Sequence, residues 1–345
     1  MKVGIVGLPN AGKSSLFNAL SKAGAEAANY PFTTIEPNIA ILPVRDDRLD
    51  EVARTVGASD VVPDTIQVHD IAGLVRGAHE GEGLGNQFLA NIRETDAILH
   101  VVRAHEDPNV IHPEGGVDPA RDIDTIETEL IFADLEQAER RHARVVRDAR
   151  SGDRAAVAEE AWLRDVIEAL QAGKSARTVP VPADAPNALR NLSPLSGKPV
   201  LFVANVDEGS DEVPGAVSSR IEAELSELDD DEAAVMRMEM GLSESGLDRV
   251  VRGAFDLLDL LAFFTAGEAK PAQSWHLRRG LTAWHAAGEI HSDIQKGFVR
   301  AEVIAWDRLV EAGGYGGARE KGTLRLEGRD YLMTDGDVIT VKFTP

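Results

Sequence analysis

Lys2-Val3-Gly4-Ile5-Val6-Gly7-Leu8-Pro9-Asn10-Ala11-Gly12-Lys13-Ser14-Ser15-Leu16-Phe17-Asn18-Ala19-Leu20 decides the reading of this chain. Lys2 to Val6 cluster apolar side chains over the length of a short buried strand. Gly7 to Ser14 follow without a gap as G-x-x-x-x-G-K-S, and Ser15 to Leu20 resume with helical spacing. Strand, loop and helix in this order are the context that a phosphate-binding loop requires. Glycines let the backbone wrap a phosphate. The N–H groups from Asn10, Ala11, Gly12, Lys13, Ser14 and Ser15 supply positive potential there, together with the helix N-terminus. Lys13 is expected to reach the β- and γ-phosphates and to act in catalysis. Ser14 is expected to offer its hydroxyl to Mg2+.

The remaining composition sets bounds. A chain of 345 residues has room for two or three domains. Hydrophobic content of 43% and charged content of 27% are ordinary for a globular protein. No apolar run approaches the ~18 residues of a membrane span, so no membrane partner is expected. The N-terminus lacks a basic region and a small-residue cleavage site, and its apolar run already serves the first strand, so no signal peptide is read. There is no cysteine. That excludes disulfides and thiolate metal sites and fits a reducing cytoplasm. The net charge of −22 repels nucleic acid and anionic membranes. From Ala262 to Pro345, however, there are eleven Lys/Arg and eleven Asp/Glu, so the whole excess lies earlier. The shift suggests a separate C-terminal domain able to approach an anionic partner.

Further motifs follow the loop in the order of a nucleotide switch. Tyr30-Pro31-Phe32-Thr33-Thr34-Ile35-Glu36-Pro37 is an aperiodic loop, and Thr34 stands where such switches place a Mg2+-binding threonine. Thr65 to His69 alternate as a strand that ends in Asp70-Ile71-Ala72-Gly73. Asp70 is expected to hold Mg2+ through water, and Gly73 to donate its N–H to the γ-phosphate. Gly77, Gly81, Gly83 and Gly85 suggest a segment that orders on nucleotide binding. Leu74 occupies the place where Ras-like enzymes carry a water-orienting glutamine, which leucine cannot replace. Ala97 to Val102 read as a buried strand, and the polar loop after it contains His112.

From Ile126 the pattern becomes helical, breaks at Ser151-Gly152-Asp153 and resumes, which reads as an antiparallel helical hairpin. Arg140, Arg141, Arg144, Arg147 and Arg150 cluster near its tip. Lys174 to Pro199 are proline-rich and aperiodic, a linker back to the first domain. Val200 to Ala204 form another buried strand, ending in Asn205-Val206-Asp207-Glu208 where GTPases carry N-K-x-D. Glu208 has nothing to accept from on adenine, while Asn205 can meet adenine N7 and its amine, so the pattern favours ATP. Ser218 and Ser219 are expected in the last base-side loop. Asp229-Asp230-Asp231-Glu232 read as a solvated acidic run, Trp275, Trp284 and Trp306 as core, and His276, His285 and His291 lack metal spacing.

Together these stretches resemble the Obg-like ATPase family, also called YchF, within the P-loop GTPases. The resemblance rests on residues 7–14, 30–37, 70–78 (Asp-Ile-Ala-Gly-Leu-Val-Arg-Gly-Ala) and 81–93. It continues through 263–268 (Phe-Phe-Thr-Ala-Gly-Glu), 286–293, 297–304 and 327–331. It implies an α/β P-loop G domain, a mostly parallel sheet with helices on both faces, formed by residues 1–125 and 195–261. It also implies an inserted helical arm with its linker at 126–194 and a C-terminal α+β TGS domain at 262–345. ATP hydrolysis, association with a ribosome or ribosomal subunit, and a role in translation or stress response are implied too, with rRNA or tRNA contacts through the TGS domain and arm. His112 falls in the loop where this group of enzymes is considered to carry a histidine in place of the glutamine. Asn10 matches the asparagine that helps cation-stimulated relatives hold K+ beside the phosphates. The sequence departs from the family pattern at Ser218-Ser219 and at Ala283-Trp284-His285, where smaller residues are usual. An Obg-type GTPase in ribosome assembly and a nucleotide-gated adaptor with incidental hydrolysis are the alternatives.

Overall fold

The computed structural model describes residues 1–27, 38–71, 77, 84–207, 215–242 and 245–344. Thr34, Gly73, Leu74 and Glu208 lie outside the described residues. Lys2–Val6 forms strand β1, buried from Val3 onward, and the chain turns through the glycine loop into helix α1, Lys13–Ala27. Then come β2 (Ile39–Val44), α2 (Asp47–Val56), β3 (Val61–Val62), β4 (Asp64–Asp70), α3 (Leu84–Arg93) and β5 (Ala97–Arg103). With β6 (Val200–Asn205) and β7 (Ala216–Val217), they build a six-stranded sheet in the order β2-β4-β1-β5-β6-β7. β1 pairs in parallel with both β4 and β5, and β5–β6 and β6–β7 are also parallel. β5 is buried at every position, as a central strand covered on both faces must be. The chain adds β4 on one side of β1 and β5 on the other. The carboxyl ends of β1 and β5 therefore flank the point where the winding reverses, the place where open α/β sheets bind ligands.

Helices α4 (Pro119–Ala149) and α5 (Arg154–Gln171) form the expected hairpin. Asp118 caps α4 by accepting the Arg121 N–H, and Gly152 turns the corner at φ +82°. α4 starts at Pro119 and serves two cores. Ile126, Leu130 and Ala133 pack with Phe88, Leu89, Ile92 and Ile98 under the sheet. Ile131, Ala138 and Val145 pack with Trp162, Leu163 and Val166 of α5. One rigid helix thus carries the arm out of the nucleotide domain. The proline-rich stretch that follows is not a bare linker. Ala176, Ala185, Ala188 and Leu192 enter the arm core, the last two from α6 (Ala188–Leu192). Fully buried Asp134 of α4 accepts the N–H groups of Leu195 and Ser196, both at 2.7 Å, and the Ser196 hydroxyl at 2.6 Å. Prolines erase the periodicity by which order is read in a sequence, yet they lower the entropy lost on ordering.

After α7 (Ser219–Leu225), α8 (Asp230–Glu239) and α9 (Gly246–Leu257), the chain enters a second sheet. Its strands are β8 (Leu260–Gly267), β9 (Lys270–Arg278), β10 (Phe298–Ala305), β11 (Arg325–Glu327) and β12 (Asp337–Phe343), in the order β11-β10-β12-β8-β9-β3. The edge strand β3 comes from far upstream and pairs in parallel with β9. The chain accordingly divides into two compact units, 1–42 with 67–250 and 43–66 with 251–345. The sequence reading places 43–66 in the first domain. In the structure Leu49, Val52 and Ala53 of α2 bury their apolar stripe against Ala262, Phe264, Ile304 and Val338. Arg48 fastens this helix by donating to Asp46 and, at 2.7 Å, to Asp335, with its guanidinium 5.6 Å from the Phe264 ring centre. The segment brings six Asp/Glu and three Lys/Arg, so this unit is more acidic than residues 262–345 alone.

His276 on β9 bonds Asp64, at the head of β4, at 2.5 Å, and this hydrogen bond holds the imidazole above its ordinary pKa. A histidine whose pKa is raised by folding contributes stability that is complete below its unfolded value, about 6.5, and is lost as pH rises through the folded value. Urea unfolding across that range is expected to show a stability loss with rising pH that His276→Gln lacks. Identical pH dependence in both proteins would remove the pair from the account of stability.

Candidate nucleotide site

The glycine loop is shaped by what surrounds it. A Cβ on Gly7 would stand 2.4 Å from the Val101 carbonyl oxygen of β5, so only glycine lets the loop leave the strand this closely. Gly12 has φ +94°, and a Cβ there would stand 2.2 Å from Asn205 Nδ2. Asn10 adopts the left-handed region at φ 63° and donates from its amide to the Ile111 carbonyl at 3.0 Å. Lys13 is buried, and its ammonium donates to the Leu8 carbonyl at 2.7 Å. An ammonium has three donors, so two remain for phosphate oxygens. Burial lowers the Lys13 pKa to about 8 against the opposing pull of Asp70, which leaves it mainly cationic at neutral pH. Burial also raises the Asp70 carboxyl, and Lys13 opposes that rise. His100, buried in β5, is pushed down to about 4 by burial and by the Lys13 charge, so it is neutral.

The far end of the cleft is held by Asn205 at the end of β6. Its Nδ2 donates to the Ala11 carbonyl at 3.1 Å, and its Oδ1 accepts the Ser219 N–H at 3.0 Å. The sequence reading gives Asn205 to the adenine edge. In the described geometry the amide joins the glycine loop to the loop before α7. Ser218 caps α7 by accepting the Ile221 N–H. Arg103, buried at the end of β5, donates to the carbonyls of His105, Asp107 and Val110 at 3.0–3.2 Å, and so folds the third wall. His105 Nδ1 donates to the Asn205 carbonyl at 3.0 Å.

These elements enclose a cleft of about 740 Å³, within the range of small-molecule sites. Asn10, Gly12, Lys13, Ser14, Ser15, Asn205, Val206, Ser218 and Ser219 all line it, so the predicted residues from both ends of the unit meet there. Arg220, from the predicted last base-side loop, lines it too, and so do Arg103, His105, Asp107 and Asn109, which went unread. The available signal was a lone arginine closing an otherwise apolar strand. His112 does not line the cleft. Its Nε2 bonds Asp122 at 2.9 Å, and its Nδ1 accepts the Glu114 N–H at 3.2 Å. For a divalent ion, the described protein oxygens are the exposed Ser14 hydroxyl and Asp70 at the end of β4. Among the described residues no group of three or more His, Cys, Asp or Glu could hold a metal. Few protein oxygens, with water and substrate phosphates completing the shell, fit Mg2+.

Residues 2–136 match a family model described as "50S ribosome-binding GTPase", and residues 260–344 match the YchF-GTPase_C model, described as "Protein of unknown function". The chain is 47% identical to the "Ribosome-binding ATPase YchF" of Haemophilus ducreyi and to that of Escherichia coli O157:H7, and 44% identical to that of Bacillus subtilis. Each comparison covers 99% of both chains. Among solved structures, the Schizosaccharomyces pombe YchF GTPase superposes with a TM-score of 0.86 at 32% identity, covering 99% of this chain and 97% of that one. A GTP binding protein from Pyrococcus horikoshii shares the fold, with a TM-score of 0.61 at 19% identity over the full length of both. Similarity of this extent, along the whole chain and in both of its units, means that the chain belongs to the YchF family.

Proposed function

We propose that this chain binds ATP in the cleft, hydrolyses it to ADP and phosphate with Mg2+, and works as a ribosome-bound switch. The observation that carries the reading is the joined cleft itself. The glycine loop, Lys13 and Ser14 stand at one end, and the Asn205–Ser219 loop, tied to them through Ala11, stands at the other. The loop N–H groups and Lys13 neutralise phosphate charge where it grows in the transition state. Ser14, Asp70 and Thr34 would hold the ion, which would supply further charge neutralisation, and Gly73 would donate to the γ-phosphate. Asn10 has its amide nitrogen engaged, which leaves its oxygen to offer K+. ATP is preferred over GTP because buried Val206 stands where GTPases carry lysine. The relatives' printed names support both ATP and the ribosome.

Leu74 cannot orient water, so the reading assigns that task to His112. It then requires the His112–Asp122 bond to open when nucleotide orders the surrounding loops. That closed bond is the observation favouring the second reading, an adaptor with slow, incidental turnover. For the ribosome, the arm tip is the proposed phosphate contact, and the TGS domain a second contact to rRNA or tRNA. Arg140 and Arg141 are spent on Glu136 and Glu159, whereas Arg144, Arg147 and Arg150 are exposed.

Calorimetry on purified protein is expected to show ATP binding at least as well as GTP, and a clear preference for GTP would overturn the base assignment. Lys13→Ala is expected to cut turnover by roughly two orders of magnitude or more with the fold intact by circular dichroism. His112→Ala is expected to lower kcat with little change in ATP affinity. Equal kcat for wild type and His112→Ala, both with and without ribosomes, would return His112 to a purely structural place on Asp122. Changing Arg144, Arg147 and Arg150 together to Glu is expected to weaken ribosome co-sedimentation and to flatten its logarithmic salt dependence by roughly two to three. An unchanged slope would move the contact off the arm.

A further inference from the structure

Helix α8 is turned the wrong way for a helix that belongs only to its own domain. It buries Ala233 against Ile221 and Leu225, yet leaves Val235, Met236 and Met238 exposed at 53%, 37% and 72%. Val235 and Met236, with Leu228 beside them, line a shallow groove whose other lining residues are Asp231, Glu232 and Glu239. Val235 and Met236 share one groove with Leu228 rather than standing as the scattered single residues that surfaces tolerate. The charged residues that line the groove are all acidic, Asp231, Glu232 and Glu239.

We infer that this groove docks a lysine- or arginine-rich amphipathic segment of another protein, at a surface separate from the nucleotide cleft and from the arginines of α4. The carboxylate walls repel nucleic acid and anionic membrane, and they select a cationic partner. The apolar floor requires that partner to bring apolar side chains, as in helix-in-groove recognition. Methionine is unbranched and adapts its shape to what lies on it. Long basic side chains can lay their stems over Val235 and Met236 while their heads reach Asp231, Glu232 and Glu239. The inference does not depend on ATP hydrolysis or on the arm contact, so it stands or falls apart from the proposed function.

The probe is a labelled amphipathic Leu/Lys peptide, titrated against the full chain by fluorescence anisotropy, with a Ser/Lys peptide of equal charge beside it. The wild type is expected to bind the Leu/Lys peptide and to bind the Ser/Lys peptide much more weakly. Val235→Asp with Met236→Asp makes the surface more acidic, so general charge attraction predicts tighter binding, whereas groove docking predicts a loss of roughly tenfold or more. Asp231→Asn with Glu232→Gln and Glu239→Gln keeps the apolar floor and is expected to weaken binding as well. ATP binding by both variants reports that the domain is folded. Unchanged or tighter binding by the Val235/Met236 variant, or equal binding of the two peptides, would overturn the inference. So would sedimentation showing that the wild type self-associates through this face and the Val235/Met236 variant does not, which would make a second copy the occupant.

Discussion

The side-chain amide of Asn205 is the constraint on which the site depends. Its nitrogen holds the Ala11 carbonyl, and its oxygen holds the Ser219 N–H. Two loops separated by about two hundred residues of chain thereby become one wall. Each half of the amide satisfies a backbone group of a buried residue, and leaving such a group unpaired costs about 1–3 kcal/mol. Gly12 is bound to the same contact, because a side chain there would occupy the space of the Asn205 amide. The two ends of the cleft are therefore positioned by one bidentate contact rather than by the glycine loop alone.

Arg103 does the corresponding work for the third wall. A guanidinium presents several donors in a fixed plane, so one buried side chain can satisfy three carbonyls of a tight loop. That loop carries Ile111, which meets Asn10, and next to it His112, whose ring is held by Asp122 and the Glu114 backbone. The contact of the glycine loop with this loop is thus one residue away from His112.

The surface divides its charge by region. Exposed arginines sit at the end of α4, and an acid-walled apolar groove sits on α8. A large negative net charge does not prevent binding to a phosphate-rich assembly when the positive groups are concentrated and the acids face elsewhere. The same arrangement suits an assembly that contains basic proteins as well as RNA.

The sequence by itself determined the glycine loop, the parallel strands beside it, the helical hairpin and the residues that meet in the cleft. These are legible because their geometry is local: two glycines, one lysine and an apolar run specify a strand, a turn and a helix within about twenty residues. Family resemblance carried the remaining domain order. Tertiary structure alone decided that residues 43–66 leave the first unit. The amphipathic stripe of α2 announces a buried face but not which core receives it, and that core is built more than two hundred residues later. It alone decided that the proline-rich stretch packs against the arm, that Asn205 ties the glycine loop to Ser219, and that His112 is held by Asp122. Each of these is a choice among partners of similar chemistry, settled by which groups packing brings within hydrogen-bonding distance.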